Sequence, residues 1–232
     1  MSVQVIEMSD VIEEVYDAAI APTIADLLRD LGDINPARIL VSPPISKATV
    51  AHAERYECEL IDGTLVRKAM GFKQTLLAAF LIRVIGNYVF DRNLGLVTGP
   101  DGFFEIYEGR VRAPDVAFIA WSSLPNEEQP EQATPALAPD LCIEVISPGN
   151  TILEMKQKRR DYFTAGVKLV WLIDPMKRSA TTYSADDEGV PVVSGGALDA
   201  ATVIPGYSLP LAELFAELSR KGPRATPAGG GS

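Results

Sequence analysis

Histidine is nearly absent from this chain, with His52 the single one among 232 residues. Zinc hydrolases, histidine-dependent nucleases and enzymes with a Ser-His or Cys-His pair all need at least one well-placed imidazole. His52 lies in a polar run ahead of the first predicted strand, where we expect a surface residue. Catalysis would therefore depend on carboxylates, lysines and a hard cation such as Mg²⁺, held by oxygen ligands.

Cysteines and long apolar runs are also scarce. Cys58 and Cys142 are the two cysteines, and both lie in apolar, strand-like contexts, which favours buried reduced thiols and leaves no Cys/His metal cluster. No stretch reaches the roughly 18 uninterrupted apolar residues of a membrane span, and the N-terminus lacks a basic-then-apolar signal pattern. We expect a soluble, cytoplasmic protein with no membrane partner.

Positive charge is in deficit, since the net charge is −10. This argues against a general nucleic-acid binder, because non-specific affinity comes mainly from lysines and arginines that neutralise phosphates. Basic residues nevertheless cluster at 67–68, 73, 110–112 and 156–160. Such clusters are typical either of a solvated face or of a local surface for nucleic acid, and both interpretations stay open.

Two acidic residues stand out in strand-like runs. Asp115 follows a proline and precedes an apolar run, so it should lie at the start of a strand. Glu144 lies within the apolar run 141–146, and a period of two puts it on the same face as Cys142 and Ile146. Burying an unpaired carboxylate costs several kcal/mol, so Glu144 needs a cation, a proton or a set of donors. A metal ion shared with Asp115 is one answer.

Four ordered motifs resemble a known family: RAPDVAF at 112–118, APDLCIEVISP at 138–148, KRRDYFTAGV at 158–167 and WLIDP at 171–175. They resemble the Uma-type family, described as putative restriction endonucleases, within the PD-(D/E)XK nuclease superfamily. The likeness runs from about residue 59 to about residue 210. It implies a restriction endonuclease-like fold and a divalent-metal-dependent nuclease that acts on nucleic acid, with DNA as the expected partner.

The resemblance also implies roles for the two acids. Asp115 and Glu144, with the backbone carbonyl of Val145, would hold Mg²⁺ or Mn²⁺. The ion would polarise the scissile phosphate and lower the pKa of an attacking water.

A catalytic lysine is harder to place. The superfamily pattern puts it two residues after the second acid, but that position is Ile146, which can neither stabilise developing charge nor orient water. Lys158, on one helix face with Tyr162, stands where similar family members keep a lysine, and we take it as the catalytic candidate. The alternative is an ordinary surface pair between Glu154 and Lys158. Lys156 points about 200° away around the helix and is the weaker candidate.

Three residues are expected to support the site, and one of them is Tyr162, which shares the helix face of Lys158. Glu59 resembles the family's acid in a hairpin strand, although pairing of an edge-strand glutamate with Arg67 is the alternative. Gln74, near the start of the longest helix, stands where similar members often carry an acid that helps organise the metal. A glutamine contributes no charge there.

Periodicity and the resemblance together predict an α/β (α+β) protein with a restriction endonuclease-like core, in which a mixed central β-sheet is flanked by helices. We expect a hairpin over 55–69 and the longest helix over 72–90. Proline and glutamate over 121–139 predict an irregular loop.

Three regions are expected along the chain. Residues 1–50 should form an N-terminal helical appendage and connection, with amphipathic helices over 4–31. Residues 51–220 should form the nuclease-like domain, and 221–232 a disordered tail. A homodimer is expected, because double-strand cleavage by a single-site nuclease needs two sites and the apolar N-terminal helices offer a surface to bury.

Three functions remain open. The leading one is a Mg²⁺-dependent endonuclease that hydrolyses DNA phosphodiester bonds. The second is a catalytically weak or inactive nuclease-fold module that binds nucleic acid or protein, which Gln74 and the acidic composition favour. In the third, a lysine merely neutralises Glu144 and Asp115 caps a turn.

Overall fold

The computed structural model of the chain describes residues 24–41 and 48–222. Within these ranges, strands form one sheet of five, one of six and one of two, with helices packed around them. The predicted mixed α+β class is confirmed. The strands divide between two larger sheets, because the hairpin strands pair with one another and with the strand before Asp115 rather than with the acidic strands.

Helices and strands are short, with one long exception. The α-helices are α1 (Ile24–Asp30), α2 (Val50–Tyr56), α3 (Phe72–Asp91), α4 (Ile152–Thr164) and α5 (Leu211–Ala216). The strands are β1 (Ile39–Val41), β2 (Glu59–Ile61), β3 (Thr64–Val66), β4 (Gly95–Thr98), β5 (Phe104–Tyr107), β6 (Arg110–Arg112), β7 (Val116–Ala120), β8 (Leu141–Val145), β9 (Leu169–Asp174), β10 (Ser179–Tyr183), β11 (Gly189–Val192), β12 (Ala197–Asp199) and β13 (Ser208–Pro210).

The five-stranded sheet has the order β1-β3-β2-β6-β5 and is antiparallel. β2 and β3 form the predicted hairpin, and Asp62 and Gly63 at its turn both have positive φ, as a two-residue type I′ turn requires. β2 also pairs with β6, with Leu60 opposite Val111. It is therefore an interior strand, and the prediction that Glu59 lies on an edge strand is wrong.

The six-stranded sheet has the order β11-β10-β9-β8-β7-β4. β8 and β9 are parallel and α4 makes the crossover between them, while the other neighbours are antiparallel. Val116 lies opposite Ile143. Asp115, directly before β7, and Glu144, in β8, therefore lie at neighbouring positions of this sheet.

Alternation along β8 divides its side chains between two cores. Ile143 and Val145 pack with the buried face of α3. Cys142 packs on the opposite face with Tyr162 of α4. Glu144 shares that second face, as its spacing from Cys142 predicts, so its side chain projects towards α4.

His52 lies in α2, not in an extended polar run, and is half-buried. The backbone N–H of Thr49 donates to His52 Nδ1 at 3.1 Å, which caps the start of the helix. His52 is thus partly exposed and lies ahead of the first predicted strand, as expected, but it belongs to a helix that the sequence does not predict. Seven residues without a clear apolar period carry too little signal to identify such a short helix.

Some of the remaining predictions concern described residues, and others fall outside them. Both cysteines are free and buried, as predicted, and 121–139 is irregular apart from two short 3-10 turns. α1 lies at the end of the helices predicted over 4–31, whereas 4–23 and 223–232 fall outside the described residues. No helix within 24–41 and 48–222 is long and apolar enough to cross a membrane.

Candidate active site

Asp115 lies just before β7, and its carboxylate turns towards β8. The backbone N–H of Val145 donates to Asp115 Oδ2 at 2.8 Å, and the Asp115 N–H donates to the Ile143 carbonyl at 3.0 Å. The backbone ladder between these strands starts one residue later, at Val116. The carboxylate thus takes a strand N–H beyond the end of the ladder, which fixes its orientation.

The second oxygen of Asp115 is less well satisfied. Asp115 Oδ1 is buried and accepts no hydrogen bond from the described residues. Lys68 Nζ lies 3.0 Å away, but this ammonium donates its hydrogen bond to the Pro100 carbonyl, at 3.1 Å. The Lys68 contact is thus an ion pair without an aligned hydrogen bond, and Oδ1 keeps capacity for another cation.

Glu144 is buried at the centre of the sheet and is held from α4. Lys158 Nζ lies 3.1 Å from Glu144 Oε1 and 3.2 Å from Oε2. The Tyr162 hydroxyl donates to Oε1 at 2.5 Å. Lys158 and Tyr162 are one helical turn apart, so a single face of α4 supplies both groups.

Lys158 is not a surface residue, contrary to the alternative of a Glu154–Lys158 pair. It is buried beneath α4, and its ammonium faces Glu144 and Glu59. Glu154 pairs instead with Arg38, whose Nη1 and Nη2 lie 2.9 Å and 2.7 Å from its two oxygens. Lys156, by contrast, is exposed.

Glu59 is fully buried and joins the same cluster. Its Oε1 lies 2.9 Å from Lys158 Nζ, and its Oε2 accepts from Arg112 Nη1 at 2.9 Å. The predicted pairing with Arg67 is wrong, because interior placement of β2 brings Glu59 against β6 and its Arg112. Two acids from different sheets therefore converge on one lysine.

Arg112 and Asp161 extend the cluster and were not singled out from the sequence. Arg112 Nε donates to Asp161 Oδ2 at 2.9 Å. Asp161 Oδ1 accepts from Tyr107 at 3.0 Å and from Gln157 at 2.9 Å. Both charged residues lie inside the motifs at 112–118 and 158–167. The available signal was a pair of opposite charges in two motifs that are separated along the chain, but neither motif alone shows that Arg112 and Asp161 meet.

Gln74 is buried at the start of α3. Its Nε2 donates to the Ile146 carbonyl at 2.9 Å, directly beyond the strand that carries Glu144. A carboxylate at this position could not make that bond, because it has no donor when ionised. The structure therefore gives Gln74 a role in fixing the end of β8.

The pKa values of the buried groups Glu144, Glu59 and Tyr162 are shifted by burial and by the charges around them. Burial raises the pKa of Glu144; Lys158 opposes the rise, and Asp115 and Glu59 add to it. Burial alone would raise the pKa of Glu59 as well. The nearby cations Lys158, Arg112 and Lys68 outweigh burial and lower the pKa of Glu59 to about 2. Burial and the nearby Glu144 raise the pKa of Tyr162, which keeps its hydroxyl a donor. The negative charge of Asp115 is thus one of the causes that raise the pKa of Glu144.

These residues suit a magnesium-type site better than a zinc-type site. No group of three or more His, Cys, Asp or Glu side chains in the described part of the chain is arranged to hold a metal ion. Mg²⁺, however, is commonly bound by one or two carboxylates and several waters. The unbonded Oδ1 of Asp115 fits that pattern, whereas on Glu144 an ion would share oxygens with Lys158.

The predicted basic clusters differ in their surroundings. Arg110 and Arg112 are buried, and Arg110 Nη2 lies 2.8 Å from Asp62, so this cluster is internal and is neither a solvated face nor a surface for nucleic acid. Arg67 and Lys73 are exposed. Any basic surface near Asp115 and Glu144 would therefore come from exposed residues such as Arg67 and Lys73.

The family model described as "Uma2: putative restriction endonuclease" matches residues 48–212. The chain belongs to the Uma2 family. The match spans every site residue from Glu59 to Tyr162, and the family description supports a nuclease function. The resemblance seen in the sequence is thereby confirmed at the level of the Uma2 family.

One solved structure has a similar fold. It is described as a putative nuclease belonging to DUF820 from Anabaena variabilis ATCC 29413, with a TM-score of 0.61 and 21% identity. The alignment covers 69% of this chain and 90% of that chain. At this identity the likeness shows the fold alone. The comparison with curated proteins gave no match.

Proposed function

We propose that this Uma2 protein is a Mg²⁺- or Mn²⁺-dependent endonuclease that hydrolyses DNA phosphodiester bonds. The observation that carries the proposal is the placement of two buried carboxylates, Asp115 directly before β7 and Glu144 in the adjacent strand β8. One of them has an oxygen without a hydrogen bond, and burial raises the pKa of the other. Both features favour an added cation at this point of the sheet.

Asp115, Glu144 and the Val145 carbonyl would hold the ion. When bound, the ion polarises the scissile phosphate and lowers the pKa of the attacking water. The Val145 N–H orients Asp115 through Oδ2 and so leaves Oδ1 for the ion. Tyr162 holds Glu144 from the opposite side.

Lys158 acts through Glu144 in this proposal. Its ammonium contacts oxygens of Glu144 and Glu59, so its three donors are engaged by buried carboxylates. Arg112 in turn holds Glu59 in place. Lys158 is therefore a positioning residue, which compensates for Ile146 by orienting Glu144 and supplying positive charge nearby.

A binding module without catalysis is the second candidate. It is favoured by one observation: Lys158 already engages both oxygens of Glu144, so in the described structure this acid has its positive partner. Such a module would bind DNA or a protein through the same fold. It would show no cleavage that depends on Asp115.

We also propose a homodimer. The proposal rests on the need for two sites in double-strand cleavage and on the apolar sequence over 4–31. Light scattering should give about twice the chain mass of 25.0 kDa. A 25.0 kDa particle at high concentration would contradict it.

Calorimetric titration of Mn²⁺ tests the metal site. Wild type should give binding heat, and the ion should raise its melting temperature by mass action. Glu144→Ala should give neither effect, provided that circular dichroism shows a folded protein. An equal response in wild type and Glu144→Ala would reject this site.

A further inference from the structure

The two proposed metal-binding carboxylates are buried, so substrate must reach them through an opening. A cavity of about 480 Å³ lies beside the hairpin that contains β2 and β3. Its lining includes two aromatic residues, two basic ones and two acidic ones: Tyr56, Phe103, Arg67, Lys68, Glu57 and Asp101. This volume falls within the range of ordinary ligand pockets.

Lys68 connects this cavity to Asp115. It lines the cavity, while its Nζ lies 3.0 Å from Asp115 Oδ1. The side chain is 11% exposed, so the ammonium lies between the cavity and the buried acid. Arg67 also lines the cavity, but of these two cations it is Lys68 that contacts Asp115.

The two lysines of the site differ in what their ammonium groups already bind. Lys158 faces three carboxylate oxygens, one on Glu59 and two on Glu144. Lys68 makes one hydrogen bond, to the Pro100 carbonyl, and one ion pair, with Asp115 Oδ1. An ammonium has three donors. Lys68 therefore keeps one donor for a ligand, and Lys158 keeps none.

We propose that this cavity receives a phosphodiester of the substrate with one flanking nucleotide, and that Lys68 is the catalytic cation that contacts a non-bridging phosphate oxygen. The proposal rests on the nuclease function proposed above. A fixed ammonium beside developing negative charge, away from bulk water, stabilises a transition state strongly. Tyr56 lines the cavity and is partly exposed, so its ring offers a surface on which a base can stack, whereas Phe103 is buried in the core.

A second consequence follows from the position of Lys68. Its ammonium and a divalent ion share one oxygen of Asp115, so in wild type they repel each other. Removal of the ammonium should strengthen metal binding and weaken cleavage. A lysine that only stabilises the fold would not produce opposite changes in these two quantities.

The test compares Lys68→Met, Lys68→Arg and the control Lys156→Met, an exposed lysine on α4. Mn²⁺ affinity is measured by calorimetry and cleavage with a labelled DNA oligonucleotide. Lys68→Met should bind Mn²⁺ about tenfold more tightly and cleave about 100-fold more slowly. Lys68→Arg keeps the charge, so it should retain wild-type Mn²⁺ affinity and recover part of the cleavage. The control should match wild type in both.

The outcomes separate this proposal from the proposed function. Cleavage by Lys68→Met at the wild-type rate would overturn the role of Lys68 and leave the nuclease function standing. Slower cleavage with unchanged Mn²⁺ affinity would also overturn it, since Lys68 would then not share Asp115 with the ion. If wild type neither binds Mn²⁺ nor cleaves, the nuclease function fails and this proposal fails with it. If Lys68→Met does not fold, Lys68→Arg decides: a loss of cleavage as complete as in Asp115→Ala would overturn the proposal.

Discussion

The ammonium nitrogen of Lys158 lies 3.1 Å and 3.2 Å from the two carboxylate oxygens of Glu144. This contact joins α4 to the centre of β8, and both side chains are almost fully buried. It explains how an apolar strand accommodates a carboxylate, because the balancing cation comes from the helix that follows the strand.

Loss of the Lys158 ammonium should destabilise the protein. Lys158→Ala would leave Glu144 and Glu59 buried without this cation, and breaking a buried ion pair costs about 3–5 kcal/mol. Urea unfolding should show that loss, while Lys156→Ala should lie within about 0.5 kcal/mol of wild type. Equal stabilities for the two variants would contradict the buried role of Lys158.

The same substitution should slow catalysis. Glu144 loses the group that orients it, and a misplacement of about 1 Å can cost about 100-fold in rate. We expect Lys158→Ala to cleave DNA about 100-fold more slowly at a temperature where it is still folded. Wild-type cleavage by Lys158→Ala, when Asp115→Ala is inactive, would remove Lys158 from the mechanism.

Glu59 should make stability depend on pH in acid. Folding lowers its pKa from 4.5 to about 2. A carboxyl whose pKa is lowered by folding stabilises the protein above its unfolded pKa, and the contribution is lost as pH falls towards the folded pKa. Glu59→Gln should therefore be less stable at neutral pH and lose less stability between about pH 4.5 and pH 2. Parallel pH profiles of the unfolding free energy in wild type and Glu59→Gln would contradict this.

Arg112 should not be replaceable by lysine. Its guanidinium reaches Glu59 through Nη1 and Asp161 through Nε, and one ammonium cannot reproduce that fork. Arg112→Lys should lose about 2 kcal/mol of unfolding free energy, the scale of a hydrogen bond to a charged group. Arg67→Lys, at an exposed position, should be within about 0.5 kcal/mol of wild type. The reverse order would favour the pairing of Glu59 with Arg67 after all.

Gln74 should be preferred over an acid at its position. Gln74→Glu would set an ionised carboxylate against the Ile146 carbonyl in place of the donor it now has. An unsatisfied buried acceptor costs about 1–3 kcal/mol. Thermal unfolding should show a lower melting temperature for Gln74→Glu than for wild type. A melting temperature equal to or above that of wild type would show that the Gln74 hydrogen bond is dispensable.

Local patterns were enough to predict the central strands. Asp115 begins a run of β-formers, and Glu144 interrupts a run too apolar for an exposed strand, so both placements follow from burial and a period of two. α3 was predictable for a similar reason, since its 20 residues carry a wide apolar stripe. Each of these sequence patterns lies within one strand or one helix, so it can be recognised without knowing how the chain folds.

The charged cluster around Glu59 could not be predicted in the same way. It depends on pairing of β2 with β6, which joins Leu60 to Val111 across a long stretch of chain. Nothing in the hairpin itself distinguishes an edge strand from an interior one. The sequence therefore predicts a partner for Glu59 from its own hairpin, Arg67, whereas the structure supplies Arg112 from the neighbouring strand.

A plasmid-nicking assay tests the role of Asp115 and Glu144 most directly. Wild type, Asp115→Ala, Glu144→Ala and the control Asp187→Ala, whose side chain is 81% exposed, are compared with Mg²⁺, with Mn²⁺ and with a chelator. We predict that wild type and Asp187→Ala nick the plasmid only when a divalent ion is present, and that Asp115→Ala and Glu144→Ala do not. Nicking by wild type in chelator, or equal nicking by wild type and the folded Asp115→Ala variant, would contradict a metal-dependent site at these two acids.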